Sequence, residues 1–264
     1  MSCPIAAQDL RLIASYGEIA SIIAGHLESH ALTRELNILE AGCGRMWEFT
    51  ALEVPYRLTG VDIDVEALSF RKNEQKDLDQ AIEGDLRDIA LPDQFFDVIY
   101  SSYVLEHVRG AEAVLTNFVR WLRPGGLLIL KIPDRDSVHG FVTRITPHWC
   151  HVLFYRYLRG QRSAGTRGHG PYPTFYDRIL SRRALLNFAQ NSALEVREVC
   201  GYHNYLSSLS MSAFIRLMRV LSFGRLQADH ENLLFIFEKP ASAPLTRSRH
   251  ASASAAGSAE GGRA

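Results

Sequence analysis

The 264-residue chain is 47 % apolar and 22 % charged, and its 29 Lys+Arg balance 29 Asp+Glu to a formal net charge of zero. That length holds one sizeable core, or one core with an added lobe, and leaves two full domains cramped. A neutral balance excludes a surface built throughout for nucleic acid or for an acidic partner. The first twenty residues show no basic stretch followed by a continuous apolar run, so no secretory signal is expected, and no window is long and apolar enough for a membrane span. Four cysteines, Cys3, Cys43, Cys150 and Cys200, are scattered without a C-x-x-C pair. This pattern fits a reducing cytoplasm and gives no reason to expect a metal site.

Residues 8–30 read as an amphipathic helix. From residue 37 short β-like runs alternate with helix-like ones, as an α/β sheet requires. The strand candidates are 37–41, 56–62, 80–84, 95–102 and 126–133, followed by 194–202 and 232–240. Helical candidates lie near 46–53, 65–76, 110–122 and 181–191, the third stopping at Arg123-Pro124-Gly125-Gly126. Near-continuous apolar runs such as "LLILKI" point to strands buried on both faces of a parallel sheet. Two segments exceed a minimal alternation, 134–180 and 203–230. The Ala/Ser/Gly/Pro-rich tail 241–264 is expected to be disordered.

The stretch "NILEAGCGRMWEFTAL" delivers a strand into Gly42 and Gly44. A Gly-x-Gly turn after a strand exposes backbone N–H groups and allows close approach, which suits a nucleotide-containing ligand. The third glycine that lets a helix approach a pyrophosphate is replaced by Trp47, so a nucleoside without phosphates fits better. Asp62, 18 residues after Gly44, falls at the end of the second strand, where a carboxylate can accept both hydroxyls of an adenosine ribose. Asp85 ends the third strand, and Ser101, Ser102 and Tyr103 end the fourth. The plainer reading of Asp62 and Asp85 is a helix or turn cap, and that of Cys43 is a small residue fitting a tight loop.

Taken together, "LEAGCG", "GVDID", "GDLRDIALPDQFFDVIYSSYVLEHV" and "WLRPGGLLILKIP" resemble the class I S-adenosylmethionine-dependent methyltransferases, especially those acting on small molecules. The resemblance runs from about Leu36 to Pro133 and returns more weakly in the last two strands. It implies a Rossmann-like seven-stranded sheet, mostly parallel with an antiparallel last strand and helices on both faces. It also implies one methyltransferase domain over 1–240, with its core at 31–133 and 181–240. Gly42, Cys43 and Gly44 would pass under the methionine part of S-adenosylmethionine, with Glu40 ordering the loop. Asp62 with Ile63 would hold the ribose, Asp85 with the Leu86 backbone would read the adenine edge, and Ser101 and Ser102 would line the floor near the sulfonium. The chain departs from the family at Met46, where a further glycine is frequent.

His107, in "LEHV", is the catalytic candidate, with a loop-orienting role as its plainer alternative. Tyr16 could close over the sulfonium with its aromatic face or be an ordinary helix-face aromatic. The insertions 134–180 and 203–230 are expected to form a lid at the cofactor edge. Residues 141–183 hold eight arginines and a single acid, Asp177, and arginine forks suit carboxylates or phosphates. Tyr103, His148, His151, Arg167, His169, Tyr172 and Tyr176 are the substrate-facing candidates. The expected acceptor is therefore a small or lipid-linked molecule, anionic in character, with peripheral contact to the inner face of a membrane as one option for the second insertion. Nucleic acid is a weak fit. The competing functions are an NAD(P)-dependent oxidoreductase and a methyltransferase-like binding protein without catalysis.

Overall fold

The computed structural model describes residues 10–31, 34–158, 160–166, 170–203 and 209–241, without the side chains of Leu158 and of 209–214. Cys3, Arg159, Arg167, His169 and the tail 242–264 lie outside the described residues. Eight strands form one sheet: β1 (Arg11–Ile13), β2 (Leu36–Ala41), β3 (Tyr56–Asp62), β4 (Gln80–Glu83), β5 (Phe96–Ser102), β6 (Leu122–Pro133), β7 (Glu195–Tyr202) and β8 (Asn232–Glu238). Their spatial order is β1-β7-β8-β6-β5-β2-β3-β4. Only β8 runs antiparallel, against both β6 and β7.

The helices are α1 (Tyr16–His30), α2 (Val65–Phe70), α3 (Ala111–Trp121), α4 (Val138–Ile145), α5 (His148–Leu153), α6 (Arg182–Asn191) and α7 (Leu209–Leu221). The α1 stripe Ile19, Ile23 and Leu27 buries against one face of the sheet, with Ile38, Val98 and Ile129. Val114, Leu115 and Phe118 of α3 and Leu185 and Leu186 of α6 bury against the other, with Leu39, Ile99 and Leu130. The central strands β2, β5, β6 and β8 are therefore dry on both faces, as their apolar runs require.

Two expectations are corrected. Residues 11–13 of the presumed first helix are instead a strand paired in parallel with Cys200–Tyr202 of β7. Ser15 then caps the helix proper, its Oγ accepting from the Glu18 N–H at 3.2 Å. The sheet thus has one strand more than the seven expected.

The helix expected near 46–53 is absent, and that stretch makes only turns. Trp47 and Phe49 turn inward onto Tyr100, with ring centroids 5.7 and 5.2 Å away, and Pro55 precedes β3. Anchoring two aromatics into the core over so short a connection leaves no straight helical run.

Candidate active site

The strand order reverses between β2 and β5: β3 and β4 continue outward from one, β6 from the other. Ligands in open α/β sheets bind beyond the carboxyl ends at such a switch point. Gly42 and Gly44 follow β2 there, both in the left-handed region at φ 75° and 51°. At Gly42 a Cβ would come within 2.3 Å of Val104, so no other residue fits. At Gly44 it would point into open space, leaving the surface above the turn free. Asp62 at the end of β3 accepts from the Gly44 N–H at 2.8 Å and from the Asp64 N–H at 2.9 Å.

A buried guanidinium beneath the turn had no sequence signal. Arg71 is fully buried; it donates to Glu40 at 2.9 Å, to the Cys43 carbonyl at 2.8 Å and through Nε to Asp77 at 2.8 Å. One arginine thus ties the turn to β2 and to the connection after α2. Burial pushes the Glu40 carboxyl up to about 8 against the pull of Arg71, whose charge Asp77 shares. Burial also raises the Cys43 thiol, which is 3 % exposed and therefore inert as a nucleophile. Ile63 is open to solvent beside Asp62.

Asp85 stands just past β4 and is gripped by Arg87, at 2.6 Å in the shortest contact; that guanidinium holds its carboxyl below the usual range. Leu86 is buried, and its carbonyl accepts from Asn117 at 2.9 Å. Ser101 is 1 % exposed, and its hydroxyl has no hydrogen-bond partner among the described residues. Such an orphan requires an explanation, and a ligand group at the end of β5 supplies one.

Next to Ser102, β6 contributes Lys131 as its register partner. This lysine is fully buried, yet its ammonium donates to both Glu48 oxygens, at 2.9 and 2.8 Å, and to the Tyr16 hydroxyl at 2.6 Å. It lies 4.5 Å from the Tyr16 ring centre and 5.5 Å from that of Tyr103. Tyr100 donates to Glu48 at 2.7 Å, and the Tyr103 and Tyr202 hydroxyls share a 2.9 Å hydrogen bond. Burial lowers the Lys131 ammonium while Glu48 pulls it back up. Burial acts to raise Glu48, but Lys131, Tyr100 and Tyr16 together hold it below its ordinary value. Burial and Glu48 push the Tyr16 proton well up.

Of this cluster the sequence reading included only Tyr16, Ser102 and Tyr103. The lone lysine in "LLILKI" was the available signal, since a charge inside a buried strand demands a partner.

The first insertion folds back onto the turn after β5. Phe175 N–H donates to the Glu106 carbonyl at 2.7 Å, and His107 Nδ1 donates to the Pro173 carbonyl at 2.8 Å. Because a carbonyl only accepts, the neutral His107 keeps its lone pair on Nε2. Burial lowers its pKa, with His148 acting the same way. Tyr172 meets the His107 ring edge-on at 5.8 Å, and its hydroxyl is close enough to Asp64 and Asp62 for both to raise its pKa after burial does. Tyr176 is buried, whereas His148 is exposed and His151 partly so. Asp177 caps α3 from afar, accepting from Gly110 and Ala111 N–H at 2.7 and 3.0 Å.

A separate cleft of about 340 Å³ lies between the β6 end, β1 and α6. The buried pair His230–Asp134, 2.8 Å apart, lines it together with Arg182 and Arg183, and no residue of the glycine turn does.

Sheet order and the switch-point turn with its flanking carboxylates define a Rossmann-like domain, whose switch point lies beyond β2 and β5. Residues 39–130 match the family model described as "Methyltransferase domain". Over that segment the chain is similar to the class I S-adenosylmethionine-dependent methyltransferases. It is 30 % identical over 98 residues to phosphoethanolamine N-methyltransferase 1 of Arabidopsis thaliana, covering 35 % of this chain and 20 % of that protein. It is 31 % identical over 98 residues to the malonyl-[acyl-carrier protein] O-methyltransferase of Pectobacterium atrosepticum, covering 35 % and 37 %. These matches span well under half of either relative. A solved candidate sarcosine dimethylglycine methyltransferase from Galdieria sulphuraria shares the fold at 14 % identity, with a TM-score of 0.54 over 89 % of this chain and 95 % of that one. Among the described residues no helix is long and apolar enough to cross a membrane.

Proposed function

We propose that this chain transfers a methyl group from S-adenosylmethionine to a small or lipid-linked acceptor of anionic character, in the cytoplasm. The observation that carries the reading is the Asp62–Gly44 contact at the switch point, which couples a ribose-binding carboxylate to the open glycine turn. The residues present fit the cofactor: Gly44 leaves open space, and the Ser101 hydroxyl has no partner among the described residues. In this reading Glu40, Gly42, Cys43 and Gly44 hold the methionine side, Asp62 and Ile63 the ribose, and Asp85 and Leu86 the adenine. Ser101 and Ser102 form the floor.

The sulfonium supplies an already activated methyl group, so positioning can provide much of the rate. Tyr16 and Tyr103 stand at that edge with the Lys131 ammonium over their ring faces, which fixes both. A tyrosine with a raised pKa is a poor base, so Tyr16 orients and excludes water. If the acceptor must lose a proton, His107 Nε2 is the group in the neutral form needed. The insertions 134–180 and 203–230 act as the lid; Tyr172, against His107 and near Asp62, is the described candidate that joins it to the glycine-turn side. His148, His151 and Tyr176 support the same segment. Arg167 and His169 stay in the proposal on residue type alone.

Calorimetric titration with S-adenosylhomocysteine and, separately, NADH tests this. The homocysteine compound is expected to bind and NADH not to. Asp62→Ala is expected to weaken binding by about 1.5–3 kcal/mol, as for lost hydrogen bonds to a charged group. Binding of NADH alone would replace methyl transfer with hydride transfer.

A further inference from the structure

Residues 137–176 and 203–228 contain no carboxylate and no lysine, yet together they hold eight arginines. Both stretches leave the carboxyl edge of the sheet, because β6 and β7 run the same way, each antiparallel to β8. Their helices α4 and α7 pack together. What they present outward is apolar. On and just after α7, Leu217, Val220, Leu221 and Phe223 are exposed by 55, 72, 61 and 92 %, and nothing from 215 to 225 is buried. On the α4–α5 side Ile145, Trp149, Phe154 and Tyr157 are exposed by 62, 63, 46 and 80 %.

A helix seated on its own core hides an apolar stripe; the described part of α7 hides none. Patches of this kind mark a docking surface. The charge decides what docks. Arg144 and Arg156 are exposed on one side and Arg216, Arg219 and Arg225 on the other, and the nearest acid after α7 is Asp229, 3.3 Å from Arg219. Apolar and aromatic anchors interleaved with arginine complement negatively charged headgroups over an acyl boundary.

We propose that this face, α4–α5 together with α7, docks peripherally on an anionic lipid bilayer. The surface is distinct from the glycine turn and is read out without methyl transfer, so its failure leaves the methyltransferase reading standing.

The test is co-sedimentation of the full chain with vesicles of pure phosphatidylcholine and of an equal mixture with phosphatidylglycerol. Binding is expected to be at least about tenfold tighter to the mixed vesicles and to weaken with added salt. Leu217→Glu/Phe223→Glu is expected to lose roughly tenfold or more, and Arg216→Glu/Arg225→Glu to lose the preference for anionic lipid. In the unaltered protein, Trp149 fluorescence should shift to the blue on binding, Trp47 and Trp121 being buried already. No binding to mixed vesicles at low salt, or equal binding by the Leu217/Phe223 variant, would overturn the proposal. So would a self-associating species, seen by sedimentation velocity and dispersed by Phe223→Glu, in a protein that ignores vesicles.

Discussion

Two buried ionisable side chains decide how the site responds to change. Arg71 is shared by Glu40, Asp77 and the Cys43 carbonyl. Arg71→Met would leave the buried Glu40 carboxyl and the Cys43 carbonyl without their donor, and each stranded buried polar group costs about 1–3 kcal/mol. Urea unfolding should show that loss, with S-adenosylhomocysteine binding falling alongside it. Glu106 is a buried carboxyl with Oε2 unpartnered among the described residues, and burial raises it to about 8. Between its unfolded value of about 4.3 and 8 the native state holds a proton that the unfolded chain releases. Its stabilising contribution is thus full below that window and lost as pH rises through it. Glu106→Gln should flatten the decline in stability from pH 5 to pH 8, measured by thermal melts; Glu40, shifted the same way, keeps part of the slope.

At the scale of elements, the strand ends were readable because apolar runs, glycines and acids alternate locally. β2, β3 and β5 begin and end within a residue or so of their expected bounds, and Asp62 at the end of β3 meets the Gly44 N–H after β2. What escaped was set by distant partners. Trp47 and Phe49 could have continued a helix but were claimed by Tyr100. Residues 11–13 look helical until β7 offers an edge. Lys131 and Glu48 are 83 positions apart and meet only once the sheet exists. Asp177 belongs to this class too, since it caps α3 from the far end of an insertion. Asp177→Ala should cost about 1 kcal/mol, as other cap losses do, and speed hydrogen exchange at Gly110 and Ala111. Asp177→Asn, which keeps an acceptor, should restore most of both.

For the whole molecule, the carboxyl edge of one sheet carries everything proposed: the glycine turn, the Lys131 cluster and both insertions. Zero net charge hides a strong segregation along the chain. The eight arginines of the two acid-free stretches leave the remaining residues with eight more acids than bases. The two stretches are therefore cationic against an acidic remainder. Near a negatively charged sheet of any kind the protein feels a torque before it feels contact, because the acidic body is pushed away while the lid is drawn in. It would arrive with the site already facing the surface, and within a Debye length of about 8 Å at physiological salt that alignment needs no apolar contact.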